Sequence, residues 1–98
     1  MSYKLQFHKV ALKEWQKLDR TVQLQFKKKL AERLDQPHVP AALINQARNR
    51  YKIKLRASGY RLVYDMHDMM LVVKVIAIGK RERSQAYSRA ERRWPLSG

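Results

Sequence analysis

The sequence contains no cysteine. Disulfides, thiolate nucleophiles and cysteine-ligated zinc are therefore excluded, and a reducing compartment such as the cytosol is the expected setting. Long apolar runs are also missing. The longest, residues 69–73 and 75–78, is broken by Lys74, and Met1, Ser2, Tyr3 and Lys4 form no apolar signal region. No spacing of histidine with aspartate or glutamate matches a metal site. Neither a phosphate-binding loop nor a dinucleotide fingerprint occurs. The expectation is a chemistry without cofactor or metal. Acidic residues are scarce as well, 8 against 22 lysines and arginines, which leaves a net charge of +14. Such an excess repels itself in a compact fold and makes sense where a polyanion neutralises it. Nucleic acid is the first candidate, because cations placed on phosphates release condensed counterions. An anionic membrane surface is the second.

What is present suffices for one core. Of 98 residues, 45% are hydrophobic, and no repeat or linker divides the chain. A single domain over residues 1–98 is expected. Tyr3, Leu5 and Phe7 alternate with polar neighbours, as in a short strand. From about His8 the period lengthens, and Ala11, Leu12, Trp15 and Leu18 fall on one helical face. Asp19 suits the N-cap of a second helix, whose stripe is Val22, Phe26, Leu30 and Leu34 and whose end is Pro37. Residues 37–49 read as a loop. Residues 51–55 and 60–66 alternate as two strands around Ser58-Gly59, a third strand covers 71–78, and a short helix covers 84–94. The order β-α-α-β-β-β-α predicts an α+β fold, with a mostly antiparallel sheet covered on one face by the N-terminal helical hairpin.

A two-residue turn at Ser58-Gly59 would set Arg56 opposite Arg61, Lys54 opposite Val63 and Lys52 opposite Asp65. Lys52, Lys54, Arg56, Arg61, Val63 and Asp65 would then share one face, and Tyr51, Ile53, Leu55, Leu62 and Tyr64 the other. Like charges facing each other destabilise a hairpin, but they can hold a phosphate. Crowding by other cations lowers the proton affinity of a lysine and fits it for general-base work. Lys80, Arg81 and Arg83 add charge where the chain leaves the third strand, and Tyr87 offers an aromatic face for an unstacked base. A charged strand face can equally be the solvated side of a sheet, and Lys27-Lys28-Lys29 reads as a solvated helix face. His8, His38 and His67 lie on three different elements and suggest no shared site.

Three blocks resemble the RelE toxins of bacterial toxin–antitoxin pairs. They are Ala11-Leu12-Lys13-Glu14-Trp15-Gln16-Lys17-Leu18, then Tyr51-Lys52-Ile53-Lys54-Leu55-Arg56-Ala57-Ser58-Gly59-Tyr60-Arg61-Leu62-Val63-Tyr64, then Gly79-Lys80-Arg81-Glu82-Arg83-Ser84 with Tyr87. The resemblance implies a RelE/ParE-type fold and an endoribonuclease that cuts mRNA in the ribosomal A site, using the RNA's own 2′-hydroxyl. It carries catalytic roles onto Lys52, Lys54, Arg61, Arg81 and Tyr87, with Arg56, Lys80 and Arg83 in support. It also implies a separate antitoxin chain that neutralises the toxin, operator DNA bound only by the toxin–antitoxin complex, and no membrane. Relatives commonly carry a basic Lys-Leu-Arg-Gly segment before the strand at 51, where this chain has Leu43-Ile44-Asn45-Gln46. A ParE-like gyrase inhibitor and a non-catalytic basic RNA- or DNA-binding module are the rival readings.

Overall fold

A computed structural model describes residues 3–80 and 85–93. The elements are β1 (Lys4–Phe7), α1 (Lys9–Gln16), α2 (Arg20–Asp35), a 3₁₀ turn (Pro40–Ala42), β2 (Leu43–Asn45), β3 (Arg50–Lys54), β4 (Tyr60–His67), a 3₁₀ turn (Asp68–Met70), β5 (Val72–Lys80) and α3 (Gln85–Arg92). The five strands form one sheet in the order β1-β5-β4-β3-β2. β1 runs parallel to β5, and the other pairs are antiparallel. The α+β expectation holds, as do the helical hairpin and the Asp19 N-cap, whose carboxylate accepts from the Val22 amide at 3.0 Å.

α1 and α2 cover one sheet face. Ala11, Leu18, Val22, Phe26 and Leu30 pack there on Tyr51, Ile53, Leu55, Leu62, Tyr64, Val73, Val75 and Ile78. Trp15 lies between Phe7 and Phe26, with ring centroids 5.5 and 6.3 Å away. Leu12, expected on the buried stripe, is 41% exposed. It lies about 100° around the helix from Ala11, and the contact stripe runs through Ala11, Trp15 and Leu18 instead. α3 covers part of the other face, where Ala86 and Ala90 meet Val63, Ile76 and Ala77. A bulge where β5 passes Val63 and Tyr64 turns both Ile76 and Ala77 towards α3.

Three expectations are corrected. Part of the 37–49 loop is a strand, β2, which pairs with β3. It is only three residues long and follows a proline, so period-2 alternation has no room to show. The hairpin register also differs. Lys54 stands opposite Arg61, Lys52 opposite Val63 and Arg50 opposite Asp65. The turn is four residues, 56–59, closed by the Leu55 amide on the Tyr60 carbonyl and the Gly59 amide on the Leu55 carbonyl, each at 2.9 Å. Gly59 takes φ +77°, a left-handed conformation that suits glycine. Arg56 therefore lies in the turn and does not face Arg61. The slide is by two residues, so each strand side chain stays on its expected face. Finally, Val63 and Asp65 share the cationic face but are fully buried, Val63 under α3 and Asp65 against Arg50.

Candidate active site

β3 and β4 set three cations on one face beside the turn. Lys52 and Lys54 are two residues apart on β3, and Arg61 faces Lys54 across the ladder. Lys54 is exposed, while Lys52 and Arg61 are half-buried. The charge of Lys52, then that of Arg61, then slight desolvation, hold the Lys54 ammonium below the usual lysine range. Like-charge crowding is thus a property of the folded site as well as an expectation from the sequence. A cleft of about 220 Å³ opens here, lined by Lys54, Leu55, Arg56, Gly59, Tyr60 and Arg61.

Tyr87 joins the site from α3. Its ring packs beside the Val63, Ile76 and Ala77 cluster, and the Arg61 guanidinium lies over it, 5.3 Å from the centroid. That contact ties an arginine able to hold a phosphate to an aromatic able to stack on a base. α3 is fixed by Glu14 of α1. Glu14 forms ion pairs with Arg89 at 2.9 Å and Arg93 at 2.9 Å. β5 continues past the end of β1, and side chains take the place of the missing strand. Arg93 donates to the Ile76 carbonyl and Arg89 to the Ile78 carbonyl, while Glu14 accepts from the Ile78 amide. Backbone groups on an open edge are satisfied in this way.

Of the residues singled out from the sequence, the structure brings together Lys52, Lys54, Arg61 and Tyr87, with Arg56 at the rim. Lys80 stands on the opposite sheet face, its ammonium 5.7 Å from the Tyr60 ring centroid. Arg81 and Arg83 lie outside the described residues. Lys28 and Lys29, read from the sequence as part of a solvated helix face, line a second cleft of about 440 Å³ together with Gln25, Glu32, Lys54 and Arg56. Lys54 and Arg56 belong to both clefts, so the positive surface continues from the site onto α2. A run of three lysines gives no hint of that, because the juxtaposition depends on how the helical hairpin docks. Arg50 was missed.

His8 and His38 have separate duties. The His8 ring Nδ1 caps α1 by accepting from the Val10 amide at 3.2 Å. His38 meets the Tyr51 hydroxyl at 3.2 Å and Asp68 at 3.1 Å. Asp68 also accepts from Tyr3 at 2.8 Å and Asn49 at 2.9 Å. Among the described residues, no group of three or more histidines or acids could hold a metal, and no helix is long and apolar enough to cross a membrane.

Comparison with known proteins places this geometry in context. The sequence profile of the family described as "ParE toxin of type II toxin-antitoxin system, parDE" matches residues 5–85. The chain is 54% identical over 93 residues to the mRNA interferase toxin RelE of Escherichia coli (strain K12), covering 95% of this chain and 98% of that protein. The mRNA interferase RelE of Shigella flexneri is similar to the same extent. Among solved structures, a double-arginine variant of E. coli RelE in the free state superposes with a TM-score of 0.87 at 51% identity, covering 96% of this chain and 99% of that one. The toxin of the intact E. coli RelBE toxin–antitoxin complex gives 0.79 at 52% identity, covering 84% of this chain and all of that one.

Proposed function

This chain belongs to the RelE/ParE family of type II toxins, and from that membership we propose that it is an endoribonuclease that cuts mRNA in the ribosomal A site. The observation that carries the reading is the facing pair Lys54 and Arg61, with Lys52 beside it and the Tyr87 ring beneath the guanidinium. RNA brings its own nucleophile. Lys54, whose proton affinity the Lys52 and Arg61 charges lower, takes the proton of the 2′-hydroxyl. The freed oxygen attacks the adjacent phosphorus, and the bond from phosphorus to the 5′-oxygen breaks. The leaving oxygen takes up a proton, and the products are a 2′,3′-cyclic phosphate and a 5′-hydroxyl. Lys52 and Arg61 stabilise the charge that builds on the phosphate. Tyr87 stacks on a base and holds the strand splayed. Arg81 is assigned to the leaving-group side on the resemblance. The Lys28, Lys29 and Arg56 surface extends the track for the RNA backbone.

Relatives named mRNA interferases support the ribonuclease reading over gyrase inhibition, despite the family profile's ParE name. A solved toxin–antitoxin complex of similar sequence supports a separate antitoxin chain as the restraint. A cytoplasmic site of action follows from the ribosome as target, and operator binding belongs to the toxin–antitoxin complex. Mapping mRNA 5′ ends after a pulse of expression tests the proposal. Cuts within ribosome-protected codons are expected, and a 2′-deoxy nucleotide at the cleaved position abolishes them. A DNA-damage response without cut mRNA would point to gyrase. Cleavage that persists at the deoxy site would point to an activated water.

A further inference from the structure

One buried charged pair on the cationic face takes no part in the chemistry above. Arg50 and Asp65 face each other across β3 and β4 and are 2% and 1% exposed. They meet through two parallel hydrogen bonds, Nε to Oδ1 at 2.6 Å and Nη2 to Oδ2 at 2.9 Å. Among the described residues, Asp65 is the one carboxylate that β3 and β4 turn to the side of Lys52 and Lys54. Lys52 stands opposite Val63, one diagonal step from Asp65, a distance that long side chains reach. If β3 slid by two residues, Lys52 would face Asp65 directly, and each side chain would keep its face. A two-residue turn at Ser58-Gly59 favours that slipped register. Stability alone does not account for the pair, because apolar residues of like size usually serve a buried position as well.

We infer that Arg50 is a positioning residue of the active site: it binds both oxygens of Asp65, fixes the β3–β4 register, and keeps that carboxylate away from Lys52 and Lys54. The arginine fork suits the task, since a lysine would supply the charge without the second hydrogen bond. A carboxylate on Lys52 would cancel the charge that most lowers the proton affinity of Lys54. The other charged groups around Lys54 are Arg61 on β4, Arg56 in the turn, and Lys28, Lys29 and Glu32 on α2. Tyr87 of α3 acts there through Arg61. Glu32 shares its cleft with two lysines, whereas a released Asp65 would lie between Lys74, opposite it on β5, and Lys52, one diagonal step away on β3, and any turn towards Lys52 sets its charge beside Lys54.

The inference rests on the proposed role of Lys54 only for its effect on cleavage, so the primary measurement is made without RNA. NMR titration of the Lys54 side chain, in protein with isotopically labelled lysine, compares the parent, Arg50→Met and Arg50→Met/Asp65→Leu. The midpoint is expected to rise in Arg50→Met, where Asp65 turns to Lys52, and to return to the parent value in the double variant. The acid limb of single-turnover cleavage should follow, slowing about tenfold for each pH unit by which the midpoint rises. An unchanged midpoint in folded Arg50→Met, or an equal displacement in both variants, overturns the inference. If Arg50→Met does not fold, Arg50→Lys carries the test, because it leaves one carboxylate oxygen for Lys52. A smaller rise is then expected, and no rise overturns the inference. A raised midpoint with an unmoved cleavage profile upholds the role of Arg50 and removes Lys54 from proton transfer.

Discussion

An exposed lysine ordinarily keeps its proton well above neutral pH, and Lys54 is exposed. Its lowered proton affinity comes chiefly from the Lys52 charge and the Arg61 guanidinium opposite it. Replacing Lys54 therefore removes chemistry without removing packing. Lys54→Ala should slow single-turnover cleavage by about a hundredfold or more while leaving the thermal midpoint close to that of the parent; a fall in midpoint that matches the lost activity would make the residue structural. The Tyr87 ring has a different task, shared between Arg61 and a base. Tyr87→Phe, which keeps the ring, should cleave at close to the parent rate, and Tyr87→Ala should be markedly slower. Equal losses in both variants would assign the role to the hydroxyl. Lys52, Lys54 and Arg61 were legible in the sequence because period-2 alternation places them on one face whichever of two registers forms. Arg50 was not, since an arginine that ends up 2% exposed looks in sequence like any other surface cation.

Elements carry their own tests. α1 begins at a histidine cap that works only when the ring nitrogen is free to accept. Burial first, and then the nearby Arg93, Lys74 and Lys9 charges, hold the His8 imidazolium below the usual histidine range. The folded protein therefore binds this proton less readily than the unfolded chain. The stabilisation is complete above the ordinary value of about 6.5 and is lost as pH falls below it. His8→Asn keeps an acceptor that does not titrate, so the loss of denaturant stability between pH 7 and 5 should be shallower than in the parent. The N-cap itself is worth about 1 kcal/mol. Glu14 provides a second test, because it joins α1, β5 and α3. Glu14→Gln should lower both the thermal midpoint and the cleavage rate, with faster amide exchange in α3. Unchanged exchange there would rule out the clamp. The sequence disclosed the helical hairpin through its long apolar stripe, but it disclosed little of how α3 docks. Ala86 and Ala90 make that contact, and two alanines hardly register as an apolar face. β2 was hidden for a related reason, with three residues offering no period to read.

At the scale of the molecule, 22 basic side chains oppose 8 acidic ones, and the structure engages several of the acids internally. Glu14 is held by two arginines, Asp65 by Arg50, and Asp68 by Tyr3, Asn49 and His38. The cationic face is therefore left without a counter-charge from β3 or β4. Binding to RNA should weaken steeply with salt. Lys28→Ala/Lys29→Ala should reduce the slope of log affinity against log salt by about 1.4, the release expected for two contacts to a single strand. A slope equal to the parent's would return those lysines to the solvated surface that the sequence suggested. The total charge pointed to a polyanion from the outset. The clefts that locate it arise from the packing of α2 on the hairpin turn, which no local pattern encodes.

The parallel pairing of β1 with β5 also bears on when the protein becomes dangerous. β1 finds its neighbour only once Val72–Val75 exists, and Glu14 finds Arg93 across 79 positions. Contacts so distant in sequence form late, after the intervening chain has been made. A nascent chain thus carries Lys52, Lys54 and Arg61 well before α3 can bring Tyr87 to them. The cations of the site are therefore made before the helix that completes it, and Glu14, Arg89 and Arg93 can lock α3 in place only after residue 93 has joined the chain.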